Sequence, residues 1–144
     1  MRPMTRFFLA LALVLIPTLT LAGERTYGDL FAVVISVYDG DTMTVSIPDV
    51  HPLLGDGISI RVRGIDTPEM KDQRPEIHAM AVLARDMVRG LCPSGSTVEL
   101  RGVGRDKYFR IDATPVCGGV DVAAELVKAG LAHGDYEGGT KVAW

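Results

Sequence analysis

Three short segments of the chain gather charge at points where patterned stretches end: Asp39-Gly40-Asp41-Thr42, Arg61 through Glu69, and Asp106-Lys107-Tyr108-Phe109-Arg110. Each has an ordinary structural explanation when taken alone. Asp-Gly is a favoured hairpin turn, Thr67-Pro68-Glu69 reads as a helix start, and Asp106-Lys107-Tyr108 is a plain polar loop. Together they supply what hydrolysis of a phosphodiester requires. Asp41 and Asp66 offer hard oxygen ligands for a cation such as Ca²⁺ or Mg²⁺, with water and backbone carbonyls completing the shell. Arg61 and Arg110 offer guanidinium forks for a phosphate and its developing charge, and Glu69 is a third carboxylate that can orient or deprotonate water.

These groups need a scaffold that holds them within hydrogen-bond reach of one another, and the flanking patterns describe one. Phe31 to Val37 is rich in β-branched and apolar residues, Tyr38-Asp39-Gly40 carries turn chemistry, and Asp41 to Ile47 alternates apolar with polar side chains. A hairpin is expected there. Pro48 to Gly57 reads as a loop, Ile58 to Ile65 as a third strand, and Pro75 to Leu91 as an amphipathic helix with apolar residues three and four apart. Thr97 to Val103 and Phe109 to Val116 flank the loop Gly104 to Tyr108 and form a second hairpin; Asp121 then caps a short helix through Lys128 that stops at Gly130. Three strands, a helix, two strands and a helix predict a mainly β, α+β domain. The connections are too short for parallel crossovers, which favours a small, partly open five-stranded barrel of the OB type with one inserted and one following helix.

The N-terminus reads differently. Arg2 and Arg6 precede the apolar run Phe7 to Ala22, which ends in Thr20-Leu21-Ala22, the pattern of a cleavable signal peptide over residues 1–22. A mature domain over 23–144, secreted or periplasmic and without stable membrane insertion, is the expectation. The chain has 15 Lys and Arg against 18 Asp and Glu, and the leader holds two of the basic residues and no acid, leaving 13 against 18, a net of −5. That sign disfavours a general nucleic-acid coat protein and confines polyanion binding to a local positive site.

Cys92 and Cys117 are the two cysteines, and an oxidising compartment favours their pairing. They flank the second hairpin, whose antiparallel strands bring its ends together. Separately buried thiols are the alternative, and a two-cysteine metal site is weaker because neither residue has a C-x-x-C or C-x-x-H companion. His51, His78 and His133 lack ligand spacing, Arg63 and Arg74 read as solvated, Met80 and Met87 as core residues, and Trp144 as a terminal aromatic.

The joint pattern resembles the staphylococcal (micrococcal, thermostable) nuclease family from about Val33 to Tyr136. Asp39-Gly40-Asp41-Thr42, Arg61-Val62-Arg63-Gly64-Ile65-Asp66-Thr67-Pro68-Glu69, Asp106-Lys107-Tyr108-Phe109-Arg110 and Leu126-Val127-Lys128-Ala129-Gly130-Leu131-Ala132 stand in the family's order and spacing. The resemblance implies an OB barrel and Ca²⁺-dependent cleavage of DNA and RNA to 3′-phosphorylated products; no protein partner is predicted. It implies that Asp41 and Asp66 ligate the metal by side chain and Thr67 by its carbonyl, that Glu69 acts on water, and that Arg61 and Arg110 hold the phosphate. Lys107, Tyr108 and Tyr136 match positions that contact the nucleotide. A non-catalytic module binding nucleic acid or a phosphorylated ligand is the alternative. Three departures stand out: Phe109 where the family usually has glycine, a chain that stops at Trp144 without the family's last helix, and an acidic mature domain.

Overall fold

The computed structural model describes residues 25–141 and 143–144; the expected leader, residues 1–22, lies outside the described residues. Two strands, β1 (Leu30–Val37) and β2 (Thr42–Ser46), pair antiparallel, and β3 (Ile58–Val62) pairs antiparallel on the far side of β2. On the other edge of β1 lies β5 (Thr97–Arg105), which pairs in turn with β6 (Ile111–Cys117). The sheet closes because β6 also pairs, in parallel, with β3: Ile60 faces Ile111, Arg61 faces Asp112 and Val62 faces Ala113. The five strands therefore form a closed OB-type barrel of mixed sense, where the sequence pattern suggested a partly open one.

Alternation fills the barrel. Ala32, Val34, Met43, Val45, Ile60, Val62, Val98, Leu100 and Ala113 are buried in one cluster, so each strand turns its apolar side inward. The helix α2 (Pro75–Leu91) lays Ile77, Ala81, Ala84 and Val88 toward the core, with Pro75 in its first turn and Arg89 in its last, where each suits a helix end. A shorter helix, α3 (Val122–Lys128), buries Val122 and Leu126; the Asp121 side chain accepts from Ala124 N at 3.0 Å, and Gly130 ends it at φ 70°. A single turn, α1 (Pro52–Gly55), sits inside the expected loop, and β7 (Val120–Asp121) extends β6. No helix among the described residues is long and apolar enough to cross a membrane.

Three boundaries depart from the sequence pattern. The expected strand from Ile58 to Ile65 breaks at Arg63, because Gly64 takes φ 77°; its second half, β4 (Gly64–Asp66), leaves the barrel and pairs with β8 (His133–Tyr136). The second hairpin has a shorter loop than expected on one side, since β5 runs on to Arg105. On the other side β6 begins at Ile111, because Phe109 at φ 66° cannot continue a strand.

Cys92, at the end of α2, is bonded to Cys117, at the end of β6, with Cα atoms 5.5 Å apart. Both residues are buried. The bond closes a loop with a sequence separation of 25 and ties the helix to the barrel. Loop-closure entropy assigns such a crosslink roughly 3 to 4 kcal/mol. A Cys92→Ala, Cys117→Ala double variant is therefore expected to lose that much in urea unfolding without reductant, and to become insensitive to added reductant.

Candidate active site

The Asp39–Asp41 turn between β1 and β2 is pressed against the rest of the protein. A Cβ on Gly40 would meet Ala84 Cβ at 2.8 Å and Thr67 Cγ2 at 2.9 Å, so only glycine allows the turn to lie this close to α2 and to the segment after β4. That approach puts Asp41 beside Thr67. Asp41 Oδ2 accepts from Thr67 N at 3.1 Å and from Thr67 Oγ1 at 2.9 Å, and its Oδ1 accepts from Thr42 Oγ1 at 3.1 Å.

Arg61, on the closing strand β3, enters the same space with its side chain 10% exposed. Its Nη1 lies 2.8 Å from Asp41 Oδ2, and its Nη2 donates to Ile65 O at 2.9 Å and stands 3.8 Å from Asp66 Oδ1. The turn at Gly64 is what returns Ile65 and Asp66 to the guanidinium. Arg61 thus lies between two carboxylates, bonded to one and near the other.

Asp66 is fully buried, and no described residue donates a hydrogen bond of good geometry to either of its carboxylate oxygens. A buried, unpaired carboxylate is costly unless a cation answers it. The ammonium of Lys141 stands 3.3 Å from Asp66 Oδ1 and is also hydrogen-bonded to Glu69 Oε1. Lys71 holds the other oxygen of Glu69 at 3.1 Å. The bond from Lys141, more than the field of Lys71, keeps the Glu69 carboxyl below its ordinary pKa. Burial pulls the Lys141 ammonium down, but the bond to Glu69 and the charges of Asp66 and Asp41 outweigh it and leave it raised. Asp39 is pushed up to about 6, first by burial and then by the neighbouring charge of Asp41.

A second part of the site opens on the other side of Arg61. A cleft of about 300 Å³ is lined by Arg61, Lys107, Tyr108, Arg110, Tyr136 and Gly138, among others. Its walls are β3 and β4, the loop between β5 and β6, and the end of β8. The Arg61 guanidinium lies 5.9 Å from the Tyr136 ring centre, while Arg110 and Lys107 lie 5.4 and 5.2 Å from that of Tyr108. Cations backed by aromatic rings, one exposed and one half-buried, suit a phosphate carrying a base.

Asp106 builds the loop that presents Arg110. Its Oδ1 accepts from Tyr108 N at 2.8 Å and Arg110 N at 2.9 Å, and its Oδ2 accepts from Arg110 Nε at 2.7 Å. Burial raises the Asp106 pKa, but these bonds together lower it below the ordinary value. Phe109 sits in this loop at φ 66°, three-quarters exposed, where a bulky side chain is strained. Phe109→Gly is expected to stabilise the protein by about 1 kcal/mol, the relief of left-handed strain outweighing the added freedom of the unfolded chain. Urea unfolding at neutral pH measures it, and an unchanged or lower midpoint would mean that the Arg105 guanidinium stacked 4.5 Å over the Phe109 ring compensates the strain.

The residues singled out in the sequence thus fall into two groups joined at Arg61: Asp41, Asp66, Thr67 and Glu69 on one side, and Lys107, Tyr108, Arg110 and Tyr136 on the other. Among the described residues, no three acidic, His or Cys side chains converge as a ready metal-binding group, and the Arg61 guanidinium lies 2.8 Å from one aspartate and 3.8 Å from the other. The donors that could hold a cation are Asp41, Asp66 and the Thr67 carbonyl. Their chemistry fits a hard dication, as the oxygens of buried Asp66, which accept no hydrogen bond from a described residue, attest.

Three residues behave differently from the sequence reading. Arg63 is not simply solvated: its Nε and Nη2 each lie 2.9 Å from a carboxylate oxygen of Asp112, a fork-to-fork pair that follows from the parallel closure of β3 on β6. Trp144 is more than a terminal aromatic, since its ring centre lies 4.0 Å from that of His133. Lys141 carried no signal at all, being a lone lysine after a Gly-Gly-Thr stretch.

A family model described as staphylococcal nuclease homologue matches residues 59–140, more than half of the chain. The match contains Arg61, Asp66, Thr67, Glu69, Lys107, Tyr108, Arg110 and Tyr136, and it begins after Asp41. No curated protein matches the chain.

Proposed function

This chain belongs to the staphylococcal nuclease homologue family, whose members are generally nucleases, and on that premise we propose that it is a Ca²⁺-dependent nuclease. It cleaves phosphodiester bonds of DNA and RNA and leaves 3′-phosphorylated products. The observation that carries this reading is Asp66: a fully buried carboxylate to which no described residue donates a hydrogen bond, near a guanidinium that is bonded to Asp41 and also lines the open cleft of Lys107 and Arg110.

Asp41 and Asp66 by side chain and Thr67 by its carbonyl would hold the ion, Mg²⁺ being the other hard candidate; when bound it supplies a Lewis acid for the phosphate and a lower pKa for nearby water. Glu69 takes the proton of the attacking water, its carboxyl being held ionised. Arg61 contacts the phosphate from the carboxylate side of the cleft and Arg110 from the loop side, so that charge developing on the equatorial oxygens meets a fork on each flank. Arg110 exchanges its bond to Asp106 for the phosphate. Lys107, Tyr108 and Tyr136 hold the nucleotide by charge and stacking. The leader over residues 1–22 sends the chain to a secreted or periplasmic setting, where the Cys92–Cys117 bond is stable.

Incubation of the chain with single-stranded DNA and with RNA, in Ca²⁺ or in chelator, tests the assignment. Cleavage of both in Ca²⁺ alone, with 3′-phosphate ends, is expected. Cleavage that survives the chelator would refute the metal role, and a folded chain that binds both polymers without cutting would make it a binding module instead.

A further inference from the structure

After β8 the chain turns back on itself. Tyr136 Oη donates to Gly139 O at 3.1 Å, and Gly138 and Gly139 take φ 84° and 126°, conformations that L side chains rarely adopt. This double-glycine turn lies against the Lys107 side chain and delivers Lys141 to the carboxylates on the far side of Arg61. Farther on, Trp144 stacks on His133 and its carbonyl accepts from Arg74 Nη1 at 3.0 Å. The segment is therefore anchored on both sides of Lys141.

We propose that Lys141 is a tethered cation that competes with the metal ion, so that the segment after β8 is an autoinhibitory strap whose displacement accompanies metal binding. The inference rests on the metal assignment above and adds its regulation. The ammonium stands 3.3 Å from Asp66 Oδ1, nearer than the 3.8 Å of Arg61 Nη2, and it hydrogen-bonds Glu69, the group that must be free to act on water. One positive charge thus answers the buried aspartate and masks the base at once. A dication that binds Asp66 cannot share that oxygen with the ammonium at close range without repulsion, so binding includes the work of releasing Lys141. Among the described residues, and Asp66 apart, the side chains that hold the strap are half-exposed or exposed, so its release costs little beyond the ion pairs themselves.

The test is calorimetric titration of CaCl₂ into the full chain, alongside Lys141→Met and Lys141→Arg, with Asp66→Asn as the control that removes the ligand. Lys141→Met is expected to bind Ca²⁺ about tenfold more tightly than the parent, because the differential affinity no longer includes the competing cation. Lys141→Arg, which keeps the charge, stays within about threefold of the parent. In chelator the Lys141→Met variant melts below the parent, and Ca²⁺ raises its melting temperature by more. Parent binding with an unchanged or weaker Kd in Lys141→Met would sink the strap while leaving the metal assignment standing. Absence of Ca²⁺ binding by the parent and by both Lys141 variants would sink the metal assignment and the strap with it.

Discussion

Arg61→Met is expected to lower the stability of the metal-free protein by about 3 to 5 kcal/mol and to reduce cleavage at least about a thousandfold, the largest combined loss of any single change at the site. The stability loss follows from where the guanidinium lies. It is nearly buried, pairs with Asp41 at 2.8 Å, donates to the Ile65 carbonyl and stands 3.8 Å from Asp66. Methionine fills much of the same space but leaves buried Asp41 without its ion pair and buried Asp66, which accepts no hydrogen bond from a described residue, with Lys141 as its cation. Removing one partner of a buried pair is far more costly than never having built it, because the remaining charge has no water to return to. For a domain whose whole stability is on the order of 5 to 15 kcal/mol, that is a large fraction.

The same variant separates two contributions. If the loss comes from uncompensated carboxylates, Ca²⁺ should restore part of the stability of Arg61→Met, because a dication answers the same charges, whereas cleavage stays lost because the phosphate still lacks a fork. Arg61→Lys retains the charge and loses the fork, so it should recover more stability than activity. Urea unfolding in chelator and in Ca²⁺, with cleavage assays on single-stranded DNA, measures both. A melt of Arg61→Met in chelator within about 1 kcal/mol of the parent would show the ion pairs to be structurally neutral, as exposed pairs usually are.

The strands of the barrel were legible because β2 and β3 alternate strongly and β1 is a β-branched, apolar run, and the residues of the candidate site were legible as motif words. Less legible was how the two halves of the site come together. Gly64 reads as part of the third strand, yet its positive φ detaches β4 from the barrel and swings Asp66 back toward Arg61. β8, with the sequence His133-Gly134-Asp135-Tyr136, has neither an apolar run nor β-branched residues, so no periodicity announces it. It exists because β4 offers an unpaired edge, and that pairing is what carries Tyr136 to the cleft. Asp112 likewise looks like one more polar residue on an edge strand until the parallel closure sets it beside Arg63. Short elements that owe their existence to tertiary pairing leave no local trace. Lys141 is the extreme case, placed by two glycines and a hydroxyl rather than by any element.

Glu69→Gln is expected to behave in the opposite way to the arginine variant, with kcat falling by about a hundredfold to ten-thousandfold while stability moves by less than about 1 kcal/mol. The Glu69 side chain is 32% exposed, and both of its partners are lysines that reach it from the surface, so the amide can take the place of the carboxylate without stranding a buried charge. Exposed pairs of this kind contribute little, and an amide oxygen still accepts a hydrogen bond. What glutamine cannot do is take a proton from water. Because the substrate contacts proposed for Arg61, Arg110 and Tyr136 do not run through Glu69, KM should change far less than kcat. Steady-state cleavage of single-stranded DNA in saturating Ca²⁺ reads the two apart. A loss confined to KM would make Glu69 a binding group, whereas full activity would remove it from the mechanism and leave water to be activated at another group. The ion pair with Lys141 adds a second consequence. If the lysine masks the base as well as the metal ligand, Lys141→Met raises activity at low Ca²⁺ more in the parent than in Glu69→Gln, where there is no base to unmask, and changes neither rate at saturating Ca²⁺, where the ion has displaced the strap.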